Sequence, residues 1–378
     1  MRKYYLSEKV RQFHYEADGN KHSVNLRQIV ALRDFADVKS GDEGGWLDDE
    51  AALSHEGACW VYDPNSAVFA GAKIEGNARL TGECIISHGA IVNGNACLDS
   101  AAVSHNAQIG DNVTVSHSHI RGCCHLADHA RILPHCLIIA AQGLTADNDK
   151  ILRIYQRATV SASRVVHQAQ IYGDAFVEHA FVEHRAEIFD HARLEGNEEN
   201  DVWICDNARV YGHARIIAGR EADAIPTLRY SSQVAEHAVV EGNCLLKHRV
   251  MVGGHAHLRG GPILLDDSVL IEGHTVICGD VVIEHQVTIG DEARIEASAG
   301  DAISIRGAKV INGDEHYTRT PLSAFFNLCA RLRGFQPPAP SLFPGAALYA
   351  PCPGYLAVRP VARVKRQPRP GNSSIMRP

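Results

Sequence analysis

Several absences narrow what this chain can be. No apolar run is long enough to span a bilayer, and the opening "MRKYYLSEKV" lacks the hydrophobic stretch of a signal peptide. A cytoplasmic protein with no membrane partner is therefore expected. No basic run in the body suits nucleic acid. Acid is missing from the end of the chain: no Asp or Glu follows Glu315, whereas nine Lys and Arg residues lie between Arg319 and Arg377. The preceding part then holds 28 basic against 44 acidic residues, a net of -16, which disfavours polyanionic partners. None of the 11 cysteines forms a CxxC pair with zinc spacing. A P-loop, a dinucleotide fingerprint after a strand, HExxH and GxSxG are all missing.

What is present is a repeat. From Ala67 onward the chain runs through units of about six residues, small-x-[V/I/L]-x-[G/D/H/S]-x, as in "AKIEGN", "ARLTGE", "AIVNGN", "AQIGDN", "ARVYGH" and "AVVEGN". Period-two alternation puts the aliphatic residue and the small residue two before it on one side of a short strand. Cys84, Cys124, Cys136 and Cys244 take the small place and read as buried thiols of a reducing compartment. The step between aliphatic positions shortens from six to five at Leu98–Val103, Val115–Ile120, Val160–Val165 and Val177–Val182. Longer insertions near Gly196–Val202 and Ala218–Ser232 fall at the same place in a three-rung cycle. Length variation therefore collects at one corner of a three-sided coil, and "AAQGLTADNDK", Ala140 to Lys150, interrupts a different corner. The fold expected is all-β: a parallel β-helix of about a dozen coils between Val68 and Val310, about 55–60 Å long at the usual strand spacing.

The flanks differ. Residues 1–45 alternate in short β-like runs and read as a small β subdomain covering the first coil, with the solenoid proper spanning 46–313. Within 314–335, Thr320 and Pro321 suit an N-cap and first helical position, and Leu322, Phe325, Phe326, Cys329 and Leu332 suit the apolar face of a capping helix. Residues 336–378 are proline-rich, acid-free and without repeat. They read as an extended or disordered tail, or equally as the product of a shifted reading frame.

Histidine recurs at corners. His129, His179, His191, His213, His237 and His255 each precede the small residue of a unit, where other units hold Asn, Asp or Gly. Those residue types favour positive φ, so these histidines read as turn residues. Another set lies two positions after the first rung of a coil: His88, His105, His167 and His184. Spacings of 17 or 18 residues stack His88 by His105, His167 by His184 and His237 by His255, all expected at one corner, the first after the variable one. Asp206, Asp266, Asp280, Asp291 and Glu292 also fall at corners and read as solvated turn residues.

The units resemble those of the hexapeptide-repeat, left-handed β-helix superfamily of trimeric acyltransferases. More narrowly, "ALRDFADVKSGDEGGWL" followed by "LSHEGACWVYDPNSAVFAGAKIEGNARL" resembles the YdcK family of bacterial proteins, whose acetyltransferase assignment rests on fold. The likeness covers about residues 26–315, and Gly44-Gly45-Trp46 is its most specific mark. It implies a left-handed single-stranded solenoid, a homotrimer, and acyl transfer from acetyl-CoA as co-substrate to a hydroxyl or amine acceptor. One histidine would be the base, with His105, His88, His184 and His167 as candidates and no bound metal. The insertions at Gly196–Val202 and Gly219–Ser232 would wall the cofactor groove. The acetyltransferase branch's exit, Ser/Ala-Val-Val-Lys-Asp-Ile-Pro, is missing; "IGDEARIEASAGDAISI" stands in its place. Two alternatives remain open: a non-catalytic solenoid that binds protein or glycan, and a metal-dependent enzyme of the β-helical carbonic-anhydrase type with stacked histidines as zinc ligands.

Overall fold

A computed structural model of the protein describes residues 2–17, 20–144, 151–313 and 315–317; the helix expected from Thr320 and the tail at 336–378 lie outside the described residues. Strands of two or three residues have too little surface to fold alone, and here each pairs in parallel with the equivalent strand one coil away. Three faces result. The second face is a 13-stranded sheet from Lys73–Ile74 to Lys309–Ile311, and a bridge from Leu53 to Ile74 adds one more rung. The first and third faces merge into one 28-stranded sheet because Val239–Leu246 and His257–Asp266 run unbroken through the corner between them. The single helical turn among the described residues is the 3-10 turn Glu50–Ala52, capped by Asp49.

The core follows the repeat. Ala72 and Ile74, Ala90 and Val92, Ala186 and Ile188 are buried at 1% exposure or less, and their counterparts along the array are buried too. Each aliphatic contributes about 1.5–3 kcal/mol of transfer free energy before ordering entropy is subtracted. Cys84, Cys124, Cys136 and Cys244 are buried in the small-residue column, and the nine described cysteines are free thiols. The array is longer than the expected dozen coils. Its first parallel pairing, Trp46–Leu47 with Ala67–Val68, falls inside the expected 46–313, in coils whose sequence departs from the repeat, and the array reaches His316–Tyr317, which pair with Arg294–Ile295. Its last second-face strand buries Ile311 and leaves Val310 68% exposed, so the inward residue is one place later than the period predicts.

Ahead of the solenoid, β1 (Tyr4–Ala17) and β2 (Asn20–Ala31) form an antiparallel hairpin. β3 (Glu43–Leu47) pairs antiparallel with β2 on one side and parallel with Ala67–Val68 on the other, joining hairpin to coil. Gly44 and Gly45 sit where backbone passes close: an added Cβ would lie 2.5 Å from the Val61 carbonyl oxygen at Gly44 and 2.5 Å from Val61 Cγ1 at Gly45. Lys3 is fully buried, donating from Nζ to the Cys59 carbonyl at 2.8 Å, with its ammonium 5.1 Å from the Phe35 ring centroid.

Corners carry the chain through positive φ: Asp128, His184, Asp190 and Asp206 among others. At the second corner (second to third face) a side-chain oxygen of one rung accepts a backbone N–H from the next, as Asp111 Oδ2 does from Asp128, Asp128 Oδ2 from Gln156 and Gln156 Oε1 from Gly173. Polar corner residues thus satisfy the edges of neighbouring turns.

Candidate functional site

The first corner, between first and second faces, holds His88, His105, His167 and His184, all with positive φ and half-buried. His88 stacks on His105 at 4.8 Å between ring centroids, and His167 on His184 at 4.9 Å. His237 and His255 do not belong to this file. They stack on each other at 4.8 Å on the second corner, one face away. At the second corner the positive-φ residue is the one before the histidine, Asp190 before His191 and Glu236 before His237, so turn preference explains the first-corner histidines rather than those. His179 does occupy a positive-φ turn, at the third corner.

The two first-corner pairs have different surroundings. His88 is covered by the hairpin: Tyr15 meets it edge-on at 5.4 Å, and its Nδ1 lies 2.9 Å from Ser87 Oγ. His105 Nδ1 lies 2.8 Å from Ser104 Oγ, and its Nε2 is 3.4 Å from an Arg121 nitrogen. Around the second pair stand carboxylates. His184 Nδ1 is 3.6 Å from Asp206 Oδ1, while Asp206 Oδ2 accepts the Tyr230 backbone N–H at 3.1 Å and faces Arg229 Nε at 3.6 Å. Glu183 accepts the Trp203 indole N–H at 2.9 Å. Burial, and then the neighbouring His184, lower the His167 pKa against the opposing pull of Glu183. The donor atoms of His167, Glu183 and His184 lie within 4.8 Å of one another, an arrangement that could hold a metal ion.

Beside this corner the first face turns apolar residues outward. One column runs Leu137, Arg164, Phe181, Trp203, Thr227, Leu245, Leu264 and Val282, each in register with the next. Ile139 and Val166 pair alongside it. Phe181 and Trp203 rings lie 6.1 Å apart, and Arg164 and Arg229 sit over them at 5.5 and 5.9 Å. At the far edge of this face, the third corner carries both insertions. Asn197 and Asn200 tie them together by donating to the carbonyls of Gly219 and, for Asn200, of Glu221. On the second face, one residue past His167 and His184, Gln168, Arg185, Asn207 and Arg209 help line a shallow concavity of about 290 Å³.

A sequence model described as the YdcK beta solenoid repeat matches residues 107–122, 152–168 and 169–185, the last two segments carrying His167 and His184. A protein of Escherichia coli (strain K12) named "Uncharacterized acetyltransferase YdcK" is 56% identical over 323 residues, which is 85% of this chain and 99% of that protein. The chain belongs to the YdcK family. That relative's name gives acetyltransferase as its class, uncharacterized, and specifies neither donor nor acceptor.

Period-two alternation and coil spacing reveal the YdcK-type stacks, but not the groups around them. Asp206 reads in the sequence as a solvated corner residue, yet it stands 22 residues after His184 and one rung below it, because the Gly196–Val202 insertion lengthens that coil. Trp203 and Phe181 are equally far apart in sequence and adjacent in register. Counting from rung to rung instead of residue to residue would have found both. Among the described residues no helix is long and apolar enough to cross a membrane.

Proposed function

We propose that this protein transfers an acetyl group from acetyl-CoA to a hydroxyl or amine acceptor, with His184 as general base. The observation that carries this reading is the His184–Asp206 pair at the edge of an outward apolar face. A thioester is already activated, so the protein needs to hold it and to remove one proton from the attacking group. Asp206, held by the Tyr230 amide, stands 3.6 Å from His184 Nδ1, beyond hydrogen-bond range in the free protein, and closes on Nδ1 when Nε2 takes the acceptor proton. The pantetheine arm lies along the Phe181–Trp203 stripe, between the histidine corner and the tied insertions. A neighbouring subunit of a homotrimer closes the groove from outside. The acceptor occupies the concavity on the second face beside Arg185.

His88 and His105 support this reading less, since the hairpin packs on His88 and hydroxyls occupy their Nδ1 atoms. A second reading, metal-dependent hydration or hydrolysis, is favoured only by the grouping of His167, Glu183 and His184. The test is release of the CoA thiol from acetyl-CoA across panels of sugar, amino-acid and polyamine acceptors. Acceptor-dependent release is expected. Acetyl-CoA untouched with every acceptor, and no affinity for it, would leave a non-catalytic binding solenoid as the better account.

A further inference from the structure

The second corner, one face away from the proposed acyl-transfer site, carries a file of imidazoles that the reaction does not use. His191, His213, His237, His255 and His274 stack in sequence with ring centroids 4.7, 4.9, 4.8 and 4.8 Å apart and interplanar angles of 10, 0, 3 and 3°. All five are exposed. Among the described residues, no side-chain hydrogen bond or ion pair engages His213, His237, His255 or His274. The preceding acids are turned elsewhere: Asp190 and Glu236 accept the backbone N–H of Gly212 and Gly254, and Asp291 that of Gly313. Carboxylates bound the file. Above, Asp174 lies 3.5 Å from His191 Nδ1 and also holds Arg157. Below, Glu292 takes the next place in the column, immediately after Asp291, whose carbonyl receives the His274 amide.

Turn preference does not account for the file, because the positive φ belongs to the residues before it. Nor does the fold require histidine there. The same column higher up holds Asn77, Asn95 and Asn112, which donate amide to amide down the ladder at 2.9 and 3.1 Å. Asparagine satisfies its neighbours in this column, whereas the imidazoles leave ring nitrogens facing water.

We propose that this ladder is a binding site for divalent transition-metal ions that prefer imidazole, Zn2+ in particular, with each ion held between two adjacent rungs. Metal–nitrogen bonds of about 2.0–2.1 Å set a tetrahedral bite near 3.4 Å. Each nitrogen's lone pair lies in its own ring plane, so the stacked rings, 4.8 Å apart, reach that bite by turning about their Cα–Cβ and Cβ–Cγ bonds until two lone pairs converge on one ion, a movement open to exposed side chains. Alternate rings are two rungs apart, beyond the reach of one ion. Five rings therefore seat at most two ions at once, with water completing the coordination, and Glu292 is placed to serve an ion on His274. Imidazole suits Zn2+, Ni2+ and Cu2+, whereas Mg2+ and Ca2+ take oxygen.

Adjacency, rather than histidine number, is the testable content. The variant His213→Asn/His255→Asn removes two rings and leaves none of the remaining three next to another. His191→Asn/His274→Asn also removes two but keeps the triplet His213, His237, His255 intact. Asparagine belongs in this column, so both variants are expected to fold, which unchanged circular dichroism and urea midpoints would verify. Zn2+ binding to the full chain is measured by equilibrium dialysis with metal analysis. Relative to the parent, the first variant should lose two ions and the second one. Equal losses, or no loss in either, would overturn the proposal; binding abolished instead by His184→Asn would place the metal at the first corner. None of these outcomes depends on acetyl transfer.

Discussion

Replacing His184 separates the chemistry of the first corner from its folding. The residue sits at φ +60°, a conformation that Asn adopts readily and Ala does not. Histidine already carries a Cβ in this conformation, so His184→Ala should cost only about 0.5–1 kcal/mol, the worth of the several-fold preference of His and Asn for positive φ, while His184→Asn should cost little. Both remove the imidazole. A general base contributes about 10²–10⁴ in rate, so kcat/KM for acceptor acetylation should fall by that factor in both, about 2.7–5.5 kcal/mol in barrier height. Asp206→Asn keeps the hydrogen bond from Tyr230 and removes the charge beside Nδ1, and should fall between parent and His184→Asn. The assays are thiol release under kcat/KM conditions and urea unfolding of the same preparations. If His184→Asn retains activity within about threefold of the parent, His184 is not the base, whatever its stability. Matching losses of activity and stability across the series would instead indicate a structural role.

Acid should weaken the fold through two histidines. His125 is lowered by burial and by Arg153, against Asp111 and Asp128, and His167 by burial and by His184, against Glu183. Each favours its neutral form when folded, so the unfolded chain binds more protons and stability falls as pH drops below the ordinary value near 6.5. Urea midpoints between about pH 7 and about pH 5 should decline in the parent, and less so in His125→Gln/His167→Asn; an unchanged slope would contradict this assignment. Gly44→Ala should cost about 1–3 kcal/mol by overpacking, because the new Cβ meets the Val61 carbonyl and Ile29. Gly71→Ala, at φ +74° with nothing within 4 Å, should show only the backbone penalty of about 1–2 kcal/mol, and the loss of native near-UV signal in the first alone would separate the two causes. In native protein, a thiol reagent should label exposed Cys97 before Cys124, Cys205 and Cys244, whose thiols burial pushes up to about 12; prompt labelling of those three would mean the core opens readily.

The solenoid was legible because one physical requirement, a buried small-plus-aliphatic pair on every strand, repeats in sequence about every six residues. The corner that absorbs insertions was legible too, since a five-residue step and a long loop alike leave the inward column undisturbed. Alignment along the axis was harder. His191, His213, His237, His255 and His274 are 22, 24, 18 and 19 residues apart, so insertions hide a file that rung counting makes continuous. Backbone sign was missed by one residue: small, polar types occur on both sides of a corner, and only coordinates tell Asp190 from His191. The coils before Val68 lack the regular six-residue spacing, and Gly44-Gly45-Trp46, rather than the period, marks where they begin.

The proposed acetyl-CoA site on the first face is probed by thermal unfolding with acetyl-CoA, using adenosine diphosphate as the control for the nucleotide half. Ligand at one hundred times its dissociation constant should stabilise the folded protein by about 2.7 kcal/mol if it binds only that state. Acetyl-CoA should shift the midpoint, adenosine diphosphate should do little, and replacing Phe181 and Trp203 by serine should shrink the shift. No shift at millimolar acetyl-CoA, or one that adenosine diphosphate reproduces, would contradict the proposed site.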